Sequence, residues 1–306
     1  MTVSSILVTG ASGLLGSTLF NTWQHRYRVV AASHSHKLHC DDVWIGDLST
    51  PEAARNAIQR AKPDLVVHAA AFTDLDACEA DPSKAMKVNA EATGKLASEA
   101  RRAGSAFAYI STESVFDGGR GNYRESDATN PINHYAASKL AGEREALAAH
   151  PGALVLRIGL EGWRPRGSPG FVQWLVDGLR KGERRTICTD WIHTVVFAQN
   201  LAEITEKLWK AEASGIFHCG AEIPASNWEI AQTAAEVFGL DSSLLIPINS
   251  DELQLRALRP KNVSLQSGRL REKIGNAVWN LRQGLIKMHF QETSGELAAI
   301  RSLVRA

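Results

Sequence analysis

The stretch that decides the fold is Ile6-Leu-Val-Thr9, followed at once by Gly10-Ala-Ser-Gly13-Leu-Leu-Gly16. The apolar run predicts a short buried strand, and the spacing over 14–23 predicts a helix. Glycines between a strand and a helix permit a tight turn and let backbone N–H groups approach an anion. The spacing is Gly-x-x-Gly-x-x-Gly, which alone is a weak signal. Its position between strand and helix favours a diphosphate-binding loop.

Apolar runs and helical patterns alternate through the first half of the chain. We expect further strands at 27–32, 64–68, 107–111 and 153–158, and helices at 51–60, 82–103 and 133–149. Strands separated by helices of this length are typical of βαβ units, and continuous apolar strands fit a parallel sheet buried on both faces. The predicted fold class is α/β, a Rossmann-type doubly wound parallel sheet with a smaller C-terminal α/β substrate lobe.

The regular alternation ends after Gly159. Residues 161–170 have the Gly and Pro content of a loop, and the later helical patterns are joined by irregular segments. These patterns cover 171–181, 198–210, 226–239 and 281–303. We therefore predict a dinucleotide-binding domain over 1–160, completed by part of 184–222, and a substrate-binding lobe over 161–306.

Composition excludes several classes of protein. The 306 residues contain 34 Lys plus Arg and 33 Asp plus Glu, and the resulting net charge of +1 argues against a nucleic-acid partner. No run approaches a membrane span in length, and the first residues lack a signal-peptide pattern, so we expect neither a membrane partner nor secretion. The four cysteines lie far apart, which predicts reduced thiols in a cytoplasmic protein. Whether the protein forms a homodimer is left open.

Two further segments lie where a dinucleotide would need them. Asp47 and Leu48 are placed to hydrogen-bond an adenine edge and to pack on its face, and small residues follow the strand at 64–68, at the edge where doubly wound sheets bind ligands. The predicted coenzyme-binding residues are Gly10, Ser12, Gly13, Leu14, Leu15, Gly16, Ser33, His34, Asp47, Leu48, Ala69, Ala70, Ala71, Thr73, Asn89, Tyr135 and Lys139.

The type of coenzyme follows from a missing acid. An NAD site usually has Asp or Glu about 20 residues after the glycines, where it accepts hydrogen bonds from the ribose. Here residues 31–37 are Ala-Ala-Ser-His-Ser-His-Lys, and the next acid is Asp41. Hydroxyls, imidazoles and the Lys37 ammonium tolerate or attract a 2′-phosphate, so we predict NADPH, with NADH left open.

The histidines and the cysteine at 34–40 do not have a zinc spacing, and we predict no metal.

Tyr135-Ala-Ala-Ser-Lys139 is the strongest chemical signal. Residues i and i+4 of a helix lie on one face, about 6 Å apart. A neighbouring ammonium favours phenolate, so we expect Lys139 to lower the pKa of Tyr135 and to bind a nicotinamide ribose. Thr112 follows the strand at 107–111, and its hydroxyl can bond the substrate oxygen. Asn89 is placed to support a water or backbone link near Lys139, or is simply a polar residue on a helix face.

Together these motifs resemble the extended short-chain dehydrogenase/reductase superfamily, most closely its dTDP-4-dehydrorhamnose reductase branch. The resembling segments are 8–16, 63–73, 88–90, 110–118, 123–127, 130–143 and the Arg-Pro-Lys-Asn-Val-Ser-Leu run at 259–265. The resemblance is dense over 5–160 and thin thereafter. It implies an NAD(P)H-dependent reductase of a nucleotide-linked 4-keto-sugar, in which Thr112, Tyr135 and Lys139 are catalytic and Tyr135 is the proton donor.

Two segments depart from that branch. Glu113 and Ser114 replace its usual Asp-Tyr pair, and residues 157–163 replace its usual Arg-Thr-Ser-Trp run beside the sugar. Related dehydratases have Asp-Glu after the threonine, so we do not expect dehydration. The identity of the sugar and of its nucleotide is left open.

Two alternatives use the same residues. A nucleotide-sugar 4-epimerase would keep its NAD bound through oxidation and reduction. A non-catalytic NADP-binding regulatory subunit, like the methionine adenosyltransferase β subunit, would keep the fold and serve as a partner protein. The intact set of Thr112, Tyr135 and Lys139 favours an enzyme.

A nucleotide sugar also needs cations for its phosphates and flat surfaces for its base. The predicted substrate-binding residues are Thr112, Trp163 and Arg259, and the further candidates are Arg256, Trp174 and Trp191. Each has a structural alternative, because arginines also cover surfaces and most tryptophans are part of the core.

Overall fold

The computed structural model describes residues 4–36 and 38–304. Its strands are β1 (Ser5–Thr9), β2 (Arg28–Ser33), β3 (Val43–Ile45), β4 (Leu65–His68), β5 (Ala106–Ile110), β6 (Leu154–Arg157), β7 (Gly159–Glu161), β8 (Arg185–Cys188), β9 (Ile192–His193), β10 (Val195–Phe197), β11 (Gly215–His218), β12 (Ala225–Ser226) and β13 (Leu245–Ile248). Its α-helices are α1 (Leu14–Trp23), α2 (Pro51–Ala61), α3 (Leu75–Ala80), α4 (Pro82–Met86), α5 (Ala92–Arg102), α6 (His134–Ala149), α7 (Phe171–Arg180), α8 (Ala198–Lys210), α9 (Asn227–Val237), α10 (Gly268–Ile274), α11 (Leu281–Thr293) and α12 (Glu296–Ser302).

A seven-stranded parallel sheet forms the centre of the protein. Its strand order is β11-β6-β5-β4-β1-β2-β3. Strand β1 pairs in parallel with β2 on one side and with β4 on the other, so the order reverses at β1. Ligands of doubly wound sheets bind in the crevice at the carboxyl ends of the strands flanking such a reversal. The predicted α/β class with a Rossmann-type parallel sheet is confirmed.

Burial on both faces explains the continuous apolar character of β1. Ile6 and Val8 belong to a core formed with α1 and α8, whereas Leu7 belongs to the core on the other face, formed with α2 and α5. Successive side chains of a strand point to opposite faces, so a strand covered on both sides needs apolar residues at consecutive positions.

The second half of the chain adds short sheets and its own core. Strand pairs β7–β10, β8–β13 and β9–β12 form three two-stranded sheets, and apolar residues of α7, α9 and α11 share one core. Strand β11 joins the edge of the central sheet beside β6. The division into a dinucleotide-binding domain and a substrate lobe stays a prediction.

Two predicted helices differ from the prediction: the first contains a π-helical turn within a continuous helical run, and the second is interrupted, so the prediction of one helix over 281–303 is wrong. The segment 82–103 is α4, a π-helical turn over Lys87–Glu91, and α5. The segment 281–303 breaks at Gly295, whose positive φ of 85° lies in the left-handed region that favours glycine. The apolar spacing continues past the π-helical turn in the first case and past the break in the second, so the pattern alone did not reveal either.

Over residues 4–36 and 38–304, no helix has both the length and the apolar character needed to cross a membrane.

Helix α6 makes an unusually close contact with the central sheet. A Cβ atom at Gly142 would overlap the backbone oxygen of Asn89 and the hydroxyl of Tyr109, which are themselves hydrogen-bonded at 3.0 Å. The absence of a side chain at Gly142 therefore lets α6 lie directly against β5 and the π-helical turn.

We predict that Gly142→Ala destabilises the protein, because the added methyl group forces these closely packed groups apart. Overpacking of this kind costs about 1–3 kcal/mol. The measurement is the thermal unfolding midpoint, with Gly268→Ala as the control, because a Cβ at this helical glycine meets nothing within 4 Å. Equal midpoints for the two variants would contradict the close-packing interpretation.

Candidate active site

A cavity of about 1100 Å³ opens at the carboxyl ends of the central strands. Every predicted coenzyme-binding residue except Asn89 lines it, and so does Thr112. The structure therefore brings the glycine loop, the small residues after β4, and the Thr112, Tyr135 and Lys139 side chains to one continuous space.

The glycine loop has the geometry of an anion-binding turn. Gly10 has a positive φ of 68°, and a Cβ there would lie 2.8 Å from the backbone of Ala70. Gly13 is the N-cap residue of α1, where no side chain caps the helix and the first turn has no acid. The first N–H groups of α1 are thus free of side-chain partners, as a bound diphosphate requires.

The segments expected beside the adenosine line the same cavity. Asp47 accepts hydrogen bonds from the Ser49 backbone N–H at 2.9 Å and from the Ser49 hydroxyl at 2.8 Å, and these bonds lower the pKa of Asp47. Ser33 accepts a hydrogen bond from the backbone N–H of His36 at 3.2 Å. Lys37 lies outside the described residues. Among the residues that are described, no group of three or more His, Cys, Asp or Glu could hold a metal ion.

Asn89 lies behind the cavity wall. Its side-chain oxygen accepts from the Phe72 N–H at 2.7 Å, and its amide group donates to the Phe72 carbonyl and to the Ser138 hydroxyl, both at 2.9 Å. The residue is fully buried in the π-helical turn. These hydrogen bonds fix the segment after β4 against α6, next to Lys139. Asn89 itself does not line the cavity.

Local hydrogen bonds place Tyr135 and Lys139 at the start of α6. Asn133 caps this helix by accepting from the Ala136 N–H at 2.8 Å. The Lys139 ammonium donates to the Ile110 carbonyl at the end of β5, at 2.6 Å, and lies 4.1 Å from the centroid of the Tyr109 ring. The helix start is thereby tied to the strand that leads into Thr112.

The pKa shifts correct one expectation from the sequence. Burial raises the pKa of Tyr135 to about 12, against the opposing effect of a hydrogen bond with the Thr112 side chain. Burial also lowers the pKa of Lys139 to about 7. We expected Lys139 to lower the pKa of Tyr135, but removal from water dominates at both residues. The phenol therefore keeps its proton across the neutral pH range.

A buried ionic network links α6 to the ends of β5 and β6 next to Thr112 and Lys139. Arg157 of β6 donates to both carboxylate oxygens of Glu143 in α6, at 2.9 and 2.7 Å, and Ser111 donates to the same carboxylate at 2.5 Å. Both charged side chains are almost fully buried. Two-pronged bonds of this type fix orientation as well as distance.

The two departures from the reductase pattern meet in space. A Cβ at Gly159 would lie 2.6 Å from either carboxylate oxygen of Glu113, so the glycine leaves room for this side chain. Glu113 contacts Nδ1 of His193 at 2.5 Å. Burial opposes the imidazolium, but the Glu113 carboxylate outweighs it and raises the pKa of His193. Burial raises the pKa of the nearby Glu161 to about 7.

The structure does not bring the predicted substrate-binding residues of the second half to the cavity. Trp163 is 1% exposed, and its indole N–H donates to the Met288 carbonyl at 2.9 Å. Arg259 pairs with Asp76 at 3.2 Å and donates to the Ala257 carbonyl at 2.6 Å. The further candidates Arg256, Trp174 and Trp191 do not line the cavity either.

Three cations that sequence reasoning missed do line it. Lys84 and Lys87 are exposed residues at the mouth, and Arg164 lies half-buried in the loop after β7. A usable signal for Arg164 was its position just after a strand, at the carboxyl edge of the fold. The Pro- and Gly-rich composition of 161–170 indicated only a loop, so Arg164 was not selected as a binding residue.

Comparisons with known proteins agree with this geometry. The family model described as RmlD substrate binding domain matches residues 4–293. The methionine adenosyltransferase 2 subunit beta of Danio rerio is 36% identical over 287 residues, covering 89% of this chain and 85% of that protein. The dTDP-4-dehydrorhamnose reductase of Burkholderia thailandensis is 31% identical over 302 residues, covering 92% of this chain and 97% of that one.

Among solved structures, the dTDP-4-dehydrorhamnose reductase of Bacillus anthracis in complex with NADP has the same fold. It superimposes with a TM-score of 0.86 at 24% identity, covering 95% of this chain and 100% of that one. The family match and the sequence relatives each extend over most of the length, which confirms the resemblance seen in the motifs. The chain belongs to the RmlD substrate binding domain family.

Proposed function

We propose that the protein is an NADPH-dependent oxidoreductase that reduces the ketone of a nucleotide-linked 4-keto-sugar. The observation that carries this proposal is that one cavity joins an uncapped glycine loop to Thr112, Tyr135 and Lys139. The reductase of Burkholderia thailandensis, similar along nearly its whole length, supports the same chemistry. NADH stays an open alternative, and the cytoplasm stays the predicted compartment.

The residues of the cavity fit a dinucleotide coenzyme. Gly10, Gly13 and Gly16 would hold its diphosphate at the start of α1, and Ser33 and His34 lie on the wall where a 2′-phosphate would be placed. When bound, the coenzyme supplies the hydride that reduces the ketone.

The residues of the chain handle the proton. The Tyr135 hydroxyl donates its proton to the carbonyl oxygen, which stays on the sugar carbon and becomes the hydroxyl of the alcohol product, and the Thr112 hydroxyl hydrogen-bonds to the same oxygen while charge develops. Tyr135 is left as a phenolate, which the Lys139 ammonium stabilises from the next turn of α6. A Tyr135 pKa of about 12 keeps the donor protonated until a substrate oxygen with developing negative charge accepts the proton.

We predict that Tyr135→Phe lowers the kcat of keto-sugar reduction about 10²- to 10⁴-fold, the typical contribution of a positioned proton donor. The measurement is NADPH oxidation with nucleotide-linked 4-keto-sugars, accompanied by NADPH affinity and the unfolding midpoint. Tyr27→Phe is the matched control, because its hydroxyl bonds Glu206 and does not line the cavity. Retention of most activity in Tyr135→Phe would show that the proton comes from another group.

A second prediction concerns pH. With a pKa of about 7, Lys139 carries its proton below that pH and loses it above, so reduction should decline as pH rises through about 7. Lys139→Arg keeps a positive charge at all accessible pH values. In that variant the remaining activity should no longer fall over this range. The measurement is kcat against pH, and an identical decline in both proteins would rule out Lys139 as the titrating group.

The relative in Danio rerio favours a second candidate function, a non-catalytic NADP-binding regulatory subunit. This function predicts a stable complex with a methionine adenosyltransferase, visible by gel filtration, and no turnover with any keto-sugar. A nucleotide-sugar 4-epimerase would instead purify with NAD bound in equal amount. If the protein oxidises added NADPH in the presence of a keto-sugar, that result would favour the reductase over both alternatives.

A further inference from the structure

Arg164 is a cation of the cavity that the proposed mechanism does not use. It lies in the loop that follows β7 and precedes α7, and it lines the cavity together with Leu160 and Gly170. Its backbone N–H donates to the Gln173 side chain at 2.8 Å, which fixes the start of this loop against α7.

The guanidinium of Arg164 has no partner among the residues that the structure describes. Its Nε atom is buried and makes no hydrogen bond, whereas the side chain as a whole is only half-buried and faces the cavity. Arg180 and Arg259, by contrast, are paired: Arg180 bonds both oxygens of Glu292, and Arg259 pairs with Asp76.

A partly buried cation with an unpaired N–H group is costly. A buried N–H without a partner loses the hydrogen bond that water would give it, and a charged group loses more. Burial lowers the pKa of Arg164, which shows that the surroundings disfavour its charge. A guanidinium keeps its proton at neutral pH regardless, so the site is electrostatically incomplete without an anion.

The position of the loop indicates which anion would complete the site. Cβ atoms at Gly162 and Gly170, on either side of Arg164, would lie 3.0 and 3.5 Å from the side chain of Leu14. Leu14 is the first residue of α1, directly after the N-cap glycine. The loop that contains Arg164 therefore packs on the helix end that carries unpaired N–H groups.

We propose that Arg164 binds a diphosphate group in the cavity, beside the glycine loop. The planar guanidinium offers paired N–H groups that match two phosphate oxygens, which a lysine cannot do. This role in anion binding is the one that sequence reasoning gave to Arg259. The diphosphate belongs either to the coenzyme or to a nucleotide sugar, and only the second of these rests on the proposed function.

The test compares Arg164→Met and Arg164→Lys with the wild-type protein in two binding measurements. The first is the Kd of NADPH, followed by fluorescence without any keto-sugar. The second is the Kd of dTDP and of UDP, measured by calorimetry with NADPH saturating. Loss of a charge-assisted bond should raise the affected Kd roughly 10- to 100-fold in Arg164→Met. Arg164→Lys should recover only part of the affinity, because the ammonium cannot bond two oxygens at once.

Arg166→Met is the matched control, because Arg166 is an exposed residue of the same loop and does not line the cavity. If Arg164→Met weakens only NADPH binding, Arg164 binds the diphosphate of the coenzyme. If it weakens only dTDP and UDP binding, Arg164 binds the diphosphate of the substrate. Unchanged affinities in a variant with the wild-type unfolding midpoint overturn the proposal. An effect on NADPH binding in a protein that reduces no keto-sugar would leave this inference standing and remove the proposed function.

Discussion

The close packing of α6 against the end of β5 is the constraint on which the site depends. Gly142 removes the side chain that would hold the helix away, and the Lys139 ammonium bonds the Ile110 carbonyl at 2.6 Å. The buried pair of Arg157 and Glu143 ties the same helix to β6. Because these contacts come from separated segments, the Tyr135 phenol on α6 and the Thr112 hydroxyl after β5 reach one cavity only when the sheet is assembled.

The same burial that fixes the geometry also sets the chemistry. Removal from water raises the pKa of Tyr135 to about 12 and lowers that of Lys139 to about 7, so the phenol is protonated and the neighbouring amine titrates near neutral pH. At the other end of the cavity, backbone N–H groups provide positive potential without side chains. Arg164, half-buried and without a counter-ion among the described residues, is a further group on the cavity wall that an added anion would stabilise under our proposal.

Much of the fold could be predicted from the sequence because its signals are local. The strand–glycine–helix run over 5–23 and the capped helix over 134–149 depend on neighbouring residues, and the structure has both near the predicted bounds. The π-helical turn at Lys87–Glu91 and the break at Gly295 were missed because apolar spacing continues through them. Residue types at fixed spacing also identified the groups that line the cavity.

What the sequence could not supply depends on tertiary burial. Trp163 and Arg259 have side chains suited to a nucleotide sugar, but core packing and an ion pair occupy them. Arg164 has the same guanidinium group as Arg259, but it lies in a loop whose sequence shows no binding motif. Its unpaired Nε atom is visible only in the structure. The predicted direction of the Tyr135 pKa shift was wrong for the same reason. Sequence spacing shows that a charge is nearby, but it does not show that the phenol is removed from water.

The most direct measurement of keto-sugar reduction uses NADPH with deuterium at both nicotinamide C4 positions and a nucleotide-linked 4-keto-sugar, with the product analysed by mass spectrometry and NMR. We expect deuterium on the sugar carbon that carried the ketone, and a new hydroxyl proton that comes from the solvent-exchangeable pool. A reduced sugar without deuterium at that carbon, or bound coenzyme that transfers no label to any keto-sugar offered, would contradict the proposed reduction.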